Sequence, residues 1–81
     1  MATKDDLQDW VYEALENNGG SGSIIQVARH IWEHHRSELE RSGDLFYTWQ
    51  YDMRWAATRL RNAGRILPAE SSPTGIWQLA R

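Results

Sequence analysis

The sequence contains no cysteine, only two prolines and no long apolar run. Without cysteine the chain has no disulfide framework, no thiolate metal site and no thiol nucleophile. Its apolar stretches fall short of the roughly 18 residues that indicate a membrane span, and its first ten residues lack the apolar centre of a signal peptide. We therefore expect a soluble, cytoplasmic protein with no membrane contact.

Positive charge is also scarce, with nine Lys and Arg against eleven Asp and Glu, for a net charge of −2. The cations are unevenly placed. Residues 1–46 carry four cations and nine acids, whereas residues 47–65 carry four arginines and one aspartate. One basic segment on an acidic body is typical of a nucleic-acid-binding element. It is also typical of an ordinary solvated helix face.

A chain of 81 residues is long enough for one small domain, which we place over residues 1–81. So short a chain buries a small share of its surface, and its core needs large side chains. Five Trp, three Tyr and one Phe supply them. Apolar periodicity predicts helices at about 4–17, 24–36 and 48–63 and strands at about 65–68 and 76–79.

Capping patterns mark the starts of the first two helices. Thr3 with Asp6, and Ser23 with Gln26, have the spacing of capping boxes. The stretch 17–20, Asn-Asn-Gly-Gly, ends the first helix, and we predict a flexible turn over 19–23. The apolar positions expected to be buried in these helices are Leu7, Trp10, Val11, Ala14, Leu15, Ile24, Val27, Ala28 and Ile31.

Residues 37–46 connect the second and third helices, and their pattern leaves two structures open. Ser37 and Glu40 have a spacing that either extends the second helix or starts a separate short turn. Gly43 breaks the segment in both cases. Leu39, Leu45 and Phe46 are expected to point inward.

The third helix divides into two opposed faces. Thr48 is placed to cap its start, and Gly64 stands where a left-handed residue ends a helix. An apolar stripe follows the helical spacing on one side: Trp49, Met53, Ala56, Leu60 and Ala63. The opposite side carries tyrosines, a threonine and arginines, so this helix rests on a core and presents aromatic and guanidinium groups outward.

The C-terminal segment reads as a β-hairpin. The stretch 65–68 is a short apolar strand ended by Pro68, and 70–75 is a cluster of turn residues. In 76–79 apolar and polar residues alternate, with Trp77 and Leu79 expected to face the core. Three helices followed by a two-stranded hairpin is the order of a winged helix-turn-helix, an α+β fold.

Several spaced residues in 47–80 also match a family pattern. They are a Trp-Ala pair at Trp55-Ala56, Leu60, a helix end at Ala63-Gly64 and a Gly-x-Trp strand at Gly75-Ile76-Trp77. The pattern resembles the N-terminal winged-helix domain of Mrr-type restriction endonucleases. This resemblance implies a DNA-binding winged helix with a role in restriction or transcriptional regulation, and it implies that Trp55 packs against the hairpin or the second helix.

The chain departs from that family in three ways. Thr74 stands where the family often has a basic residue, and Ala80 where its strand tends to end in threonine. The nuclease domain is absent from these 81 residues, so we carry over no nuclease activity. We expect no enzyme, because the chain has no thiol nucleophile and no recognisable Ser–His–acid arrangement; we assign no catalytic residue and no cofactor.

The third helix carries the leading functional hypothesis, which is binding of double-stranded DNA in the major groove. Gln50 is the candidate for contacting adenine. The wing, residues 68–75, has no Lys or Arg and one acid, Glu70, so contact between the wing and phosphate should be weak. The candidate DNA-binding residues are Tyr47, Thr48, Gln50, Tyr51, Arg54, Thr58, Arg61 and Arg65.

Two other interpretations remain open at this point. One is a docking or dimerisation module that does not bind DNA, because an exposed tryptophan beside arginine is a common interface anchor. The other is a zinc site at His30 and His34, which have the i, i+4 spacing of metal ligands on a helix. A solvated helix face explains the histidines better, and we assign no metal.

Overall fold

Three helices and a small antiparallel sheet make up the computed structural model, which describes residues 2–80. The predicted α+β class is confirmed. The elements in chain order are α1 (Lys4–Asn17), β1 (Ser21–Ser23), α2 (Ile24–Glu40), α3 (Leu45–Asn62) and β2 (Ile76–Gln78), with one 3-10 turn at Ala69–Ser71. Within these residues no helix is long and apolar enough to cross a membrane.

Helix α1 has the bounds that the sequence predicted. At its start the Thr3 backbone N–H donates to the Asp6 carboxylate at 2.9 Å, which satisfies a donor left free by the first turn. At its end the Gly20 N–H donates to the Leu15 carbonyl at 2.7 Å. Gly20 adopts φ of 101° there, a conformation that favours glycine.

Helix α2 is longer than predicted. Its capping box forms, with the Gln26 N–H donating to Ser23 Oγ at 3.1 Å. The predicted end at residue 36 is wrong, because the helix continues to Glu40 across a kink at His35, where φ is −127° and ψ is 18°. Leu39 is fully buried beyond that kink, and its burial stabilises the added turn.

Helix α3 begins earlier than predicted, at Leu45 rather than at residue 48. Leu45 is buried and anchors this first turn. Thr48 therefore lies inside the helix, and its hydroxyl donates to the Asp52 carboxylate at 2.7 Å instead of capping the start. The helix ends at Asn62, and Gly64 has the expected left-handed conformation, with φ of 77°.

The core lies between α1 and α3 and is closed by α2 and the sheet. The predicted stripe of α3 is buried except for Ala63, which is exposed because it lies past the last helical residue; Ala57 is buried in its place. Trp32 stacks on Trp49, with ring centroids 6.1 Å apart, and ties α2 to α3. The largest fully buried side chains are Leu7, Leu15, Ile31, Leu39, Met53, Leu60 and Ile66.

The sheet differs from the predicted hairpin. Strand β2 pairs antiparallel with β1, with Gly22 opposite Trp77. The turn predicted over 19–23 is therefore confirmed at Gly19 and Gly20 and wrong at 21–23, which form β1. The predicted strand at 65–68 is reduced to one bridge between Ile66 and Leu79 on the other side of β2. Trp77 and Leu79 are buried, as the alternation predicted. The segment 68–75, called the wing loop below, connects the bridged residue Ile66 and its neighbour Leu67 to β2.

Glycine at position 22 has a packing reason. A Cβ built there would lie 3.1 Å from Asn18 Nδ2 and 3.5 Å from Leu15 Cδ2. The missing side chain therefore lets β1 run close to the end of α1, and this places β2 between β1 and the bridge at Ile66.

Candidate nucleic-acid interface

The outer face of α3 is the most exposed aromatic surface in residues 2–80. Tyr47 is 84% exposed, Tyr51 is 64% exposed and Trp55 is 54% exposed. These rings follow one another at i, i+4 and i+8, so they form one stripe along the helix. The stripe exists because the opposite side of α3 is fully committed to the core.

Two edges border this stripe. The first, called the wing edge, consists of Gln50, Arg54 and Arg61 and faces α2 and the wing loop. The second, called the α1 edge, consists of Trp55 and Arg59 and faces the first turn of α1.

The wing edge borders a recess of about 420 Å³ between α3 and the wing loop. Arg54 and Arg61 line it from the helix, and residues 73–76 line it from the loop. The Arg61 Nε–H donates to the Leu67 carbonyl at 3.1 Å, which fixes the guanidinium beside the loop. Within residues 2–80 neither arginine has an ion pair with a carboxylate, so both charges can face an external anion.

The other predicted residues are placed less uniformly. The Thr58 hydroxyl donates to the Arg54 carbonyl at 3.3 Å, and Thr48 is bonded to Asp52, so both hydroxyl protons are engaged within α3. Arg65 lies beyond the helix, with its guanidinium 4.2 Å from the ring centroid of Tyr12 on α1. Arg65 is thus separated from the others, because its guanidinium contacts Tyr12 of α1. The outer face of α3 carries these predicted residues: Tyr47, Gln50, Tyr51, Arg54, Thr58 and Arg61.

Two residues of α2 belong to this surface and were missed. Ile25, 66% exposed, and Arg29 line a shallow depression of about 540 Å³ that Gln50 borders from α3. The sequence contained a signal for them. Ile25 and Arg29 are spaced i, i+4 on the side of α2 opposite the buried Val27 and Ile31, which is the polar side of that helix.

The expectation that Trp55 is buried is wrong. Its ring meets Tyr51 edge-on, with centroids 6.3 Å apart, and has no apolar cover from α1. The reason lies in the residues that α1 places nearby. Lys4 and Asp5 of its first turn lie on this side, and α1 places no apolar side chain around the recess beside the indole.

Charged groups at the α1 edge contact each other loosely. Arg59 Nη1 lies 3.6 Å from Asp5 Oδ1, with the two side chains 61% and 83% exposed. Lys4 Nζ lies 3.8 Å from Asp52 Oδ1, and the aspartate is buried while the lysine is 70% exposed. The Arg59–Asp5 pair contributes little to stability because both side chains are exposed and water screens them.

Two histidines of α2, His30 and His35, contact α1, whereas His34 is exposed and contacts His30 of its own helix. His30 Nε2 and His35 Nε2 lie 3.0 and 2.9 Å from the same Glu13 carboxylate oxygen. The hydrogen bond from His35 is the main reason that the pKa of Glu13 lies below its ordinary value, with His30 adding to it. The His34 Nδ1–H donates to the His30 carbonyl at 2.9 Å. No group of three His, Asp or Glu in residues 2–80 has the arrangement of a metal site.

In comparisons with known proteins, no family model, no curated protein and no solved structure matches the chain. The Mrr resemblance therefore stays an interpretation of the sequence, and the functional conclusion depends on the geometry of α3.

Proposed function

We propose that this chain is a winged helix-turn-helix protein that binds double-stranded DNA with the outer face of α3. The observation that carries the proposal is the wing edge, where Arg54 and Arg61 face a recess with no carboxylate partner in residues 2–80. Elsewhere the body of the chain is acidic. Free cations gathered on one helix face are the electrostatic footprint of a phosphate-binding surface.

The roles of the individual residues follow from their positions on α3. Tyr47 and Gln50 lie on the first two turns, where a recognition helix meets base edges, and Tyr51 borders them on the side of the α1 edge. Gln50 has a side-chain amide whose NH2 donor and carbonyl acceptor can pair with adenine, and Arg54 has the fork that pairs with guanine or phosphate. Arg61, farther along and beside the wing loop, contacts the backbone.

Neighbouring elements add two features. Arg29 on α2 brings a further cation to the side of Gln50. The wing loop brings no Lys or Arg and one acid, Glu70, so it contributes shape and backbone N–H groups rather than charge. With its Mrr-like sequence pattern, the chain fits a DNA reader that depends on its helix more than on its wing.

A salt titration tests this proposal. Three or four phosphate contacts per copy of the chain predict that log K falls against log salt with a slope of about −3 to −4 for each copy bound to B-form DNA. The measurement is fluorescence anisotropy of labelled random-sequence duplexes, starting at low salt. An absence of binding at the lowest salt, or a binding constant that does not change with salt, would contradict DNA binding.

A second candidate function is a docking module that binds protein and not DNA. The exposure of Trp55 favours it, because tryptophan and arginine are both enriched among the residues that anchor interfaces. The two candidates separate in the titration above: a docking module leaves the duplex unbound at every salt concentration, while its tryptophan emission shifts to shorter wavelength on association.

A further inference from the structure

We infer that a second copy of this chain packs on the α1 edge of α3, so that the protein is a two-fold symmetric dimer with both wing edges free. The surface involved, called the dimer patch below, consists of Lys4, Asp5, Tyr51, Trp55 and Arg59. This inference goes beyond DNA binding and does not depend on it, because association of the protein is measured without any DNA.

The centre of the dimer patch is aromatic. Trp55 is 54% exposed and lies against Tyr51. An exposed tryptophan costs solvation free energy that association recovers, and tryptophan, tyrosine and arginine are the residues enriched among interface anchors. The recess of about 230 Å³ beside them, between Lys4 and Arg59, gives a partner's side chain a place to enter.

The charges around this centre favour a second copy over a partner of one sign. A partner with a purely acidic or purely basic surface would meet a like charge, since the patch holds the cations Lys4 and Arg59 together with the acid Asp5. A patch that contains both signs is complementary to itself when a two-fold axis brings Arg59 of one copy to Asp5 of the other.

The internal ion pairs do not prevent this exchange. Arg59 and Asp5 are 3.6 Å apart and largely exposed, and Lys4 reaches Asp52 at 3.8 Å. The Arg59–Asp5 contact, between two exposed side chains, is worth at most a fraction of the free energy of an interface. When Lys4 turns away, the buried Asp52 keeps its hydrogen bond from the Thr48 hydroxyl at 2.7 Å. Each side chain can therefore turn to a partner copy at small cost.

The required area is consistent with this arrangement. A standard interface covers about 800 Å² on each partner, which is about one sixth of the 5131 Å² surface of this chain. The aromatic pair alone is too small, so the interface must also include the exposed first turn of α1, where Lys4 and Asp5 lie.

Dimerisation through this patch would also serve the proposed DNA contact. The wing edge carries Arg54 and Arg61 on the other border of the aromatic stripe, so it stays accessible in the dimer. Two copies double the number of phosphate contacts, and the duplex is bound at two half-sites.

Sedimentation velocity of the full chain without DNA tests the inference, over about 1 to about 500 μM, a range that covers weak and moderate dimers. The wild type is expected to shift from monomer to dimer within it. Trp55→Ala should raise the dissociation constant by about 30-fold or more, as loss of an interface anchor does. Arg41→Glu, at the end of α2 and away from the dimer patch, is the control and should dimerise like the wild type. Circular dichroism establishes that each variant is folded.

A charge exchange between two chains separates contacts across the interface from contacts within one chain. Arg59→Glu alone and Asp5→Arg alone should each weaken self-association by about tenfold, because like charges then meet across the two-fold axis. Mixed in equal amounts, the two variants should form a heterodimer. A wild type that stays monomeric at the highest concentration would overturn the inference. So would a mixture that associates no better than either variant, or a folded Trp55→Ala chain that dimerises as the wild type does.

Discussion

Both edges of α3 carry arginine, but the arginines of the two edges have different partners. On the wing edge, Arg54 has no ion pair within residues 2–80 and Arg61 donates only to a backbone carbonyl. On the α1 edge, Arg59 lies beside Asp5, and an exposed Trp55 replaces the polar residues of the other side. The helix therefore offers free positive charge in one direction and a mixed-charge aromatic surface in the other.

This difference shows that the net charge of the chain does not describe the charge at either edge of α3. The chain as a whole is negative, yet phosphate responds to the local field, which falls off within about a Debye length of 8–10 Å at moderate salt. What decides the function of each arginine on α3 is the element that packs beside it. The acidic first turn of α1 reaches Arg59, and the wing loop, which brings no carboxylate to the recess, reaches Arg61.

The largest expected effect tests whether the edges lie outside the core. Trp49 is 5% exposed and stacks on Trp32. Its replacement by alanine should lower the free energy of unfolding by about 3–5 kcal/mol. Trp55→Ala, on the same helix, should lower the free energy of unfolding by less than about 1 kcal/mol, because the Trp55 ring is half exposed. Urea denaturation followed by circular dichroism measures both. Equal losses would place Trp55 in the core and remove the dimer patch.

The next effect separates the wing edge from other arginines. Arg54→Ala combined with Arg61→Ala should weaken duplex binding by about 10- to 100-fold and reduce the steepness of the salt slope by about two, because two charged contacts are lost. The matched control is Arg36→Ala with Arg41→Ala, at the far end of α2. Anisotropy titration compares the pairs. Similar losses in both would indicate a diffuse charge effect and no defined surface.

A smaller effect concerns how α1, and with it the α1 edge, is held against α2. The pKa of Glu13 lies below its ordinary value of 4.5 because His35 and His30 donate to the carboxylate. Its contribution to stability is therefore complete above about pH 4.5 and is lost as the pH falls through the lowered value.

Glu13→Gln tests that contribution. Since the carboxylate is 44% exposed, solvent screening limits the expected loss at neutral pH to about 1 kcal/mol or less. The variant should also lose less stability than the wild type between about pH 5 and pH 3. Denaturant unfolding at several pH values measures this, with Glu33→Gln on the exposed side of α2 as the control. Parallel pH curves for the wild type and Glu13→Gln would contradict the role of Glu13.

The smallest expected effect concerns the ion pair between Arg59 and Asp5 at the α1 edge. Asp5→Ala removes the exposed partner of Arg59 and should change the free energy of unfolding by less than about 0.5 kcal/mol. Thermal melting measures it beside the wild type. A loss above about 1 kcal/mol would mean that Asp5 is committed within its own chain, and then it would not be available to a second copy.

The sequence predicted best where local signals coincided with burial. Helix α1 has a capping box at one end and Asn-Asn-Gly-Gly at the other, and its predicted bounds match the structure. The buried side of α3 also follows from its spacing, except at the last alanine. The outward direction of Tyr47, Tyr51 and Arg54 follows from the same periodicity.

What the sequence did not predict depended on other elements. Strand β1 consists of Ser-Gly-Ser, which has little intrinsic strand preference, and it forms because β2 supplies partners and Gly22 allows a close approach. Helix α2 continues past the kink at His35 because Leu39, which lies beyond the kink, is buried in the core. The exposure of Trp55 depends on which α1 residues face it, and that is a tertiary fact.

The central claim, that the outer face of α3 is a free DNA-binding surface, is tested most directly by NMR. Backbone amide shifts would be followed while a duplex is added at low salt to uniformly labelled protein. The account predicts the largest shifts within Tyr47–Arg61 and in the wing loop near 73–76, with α1 nearly unchanged. Shifts concentrated in α1 or in residues 37–44, or no shifts with excess duplex, would contradict it.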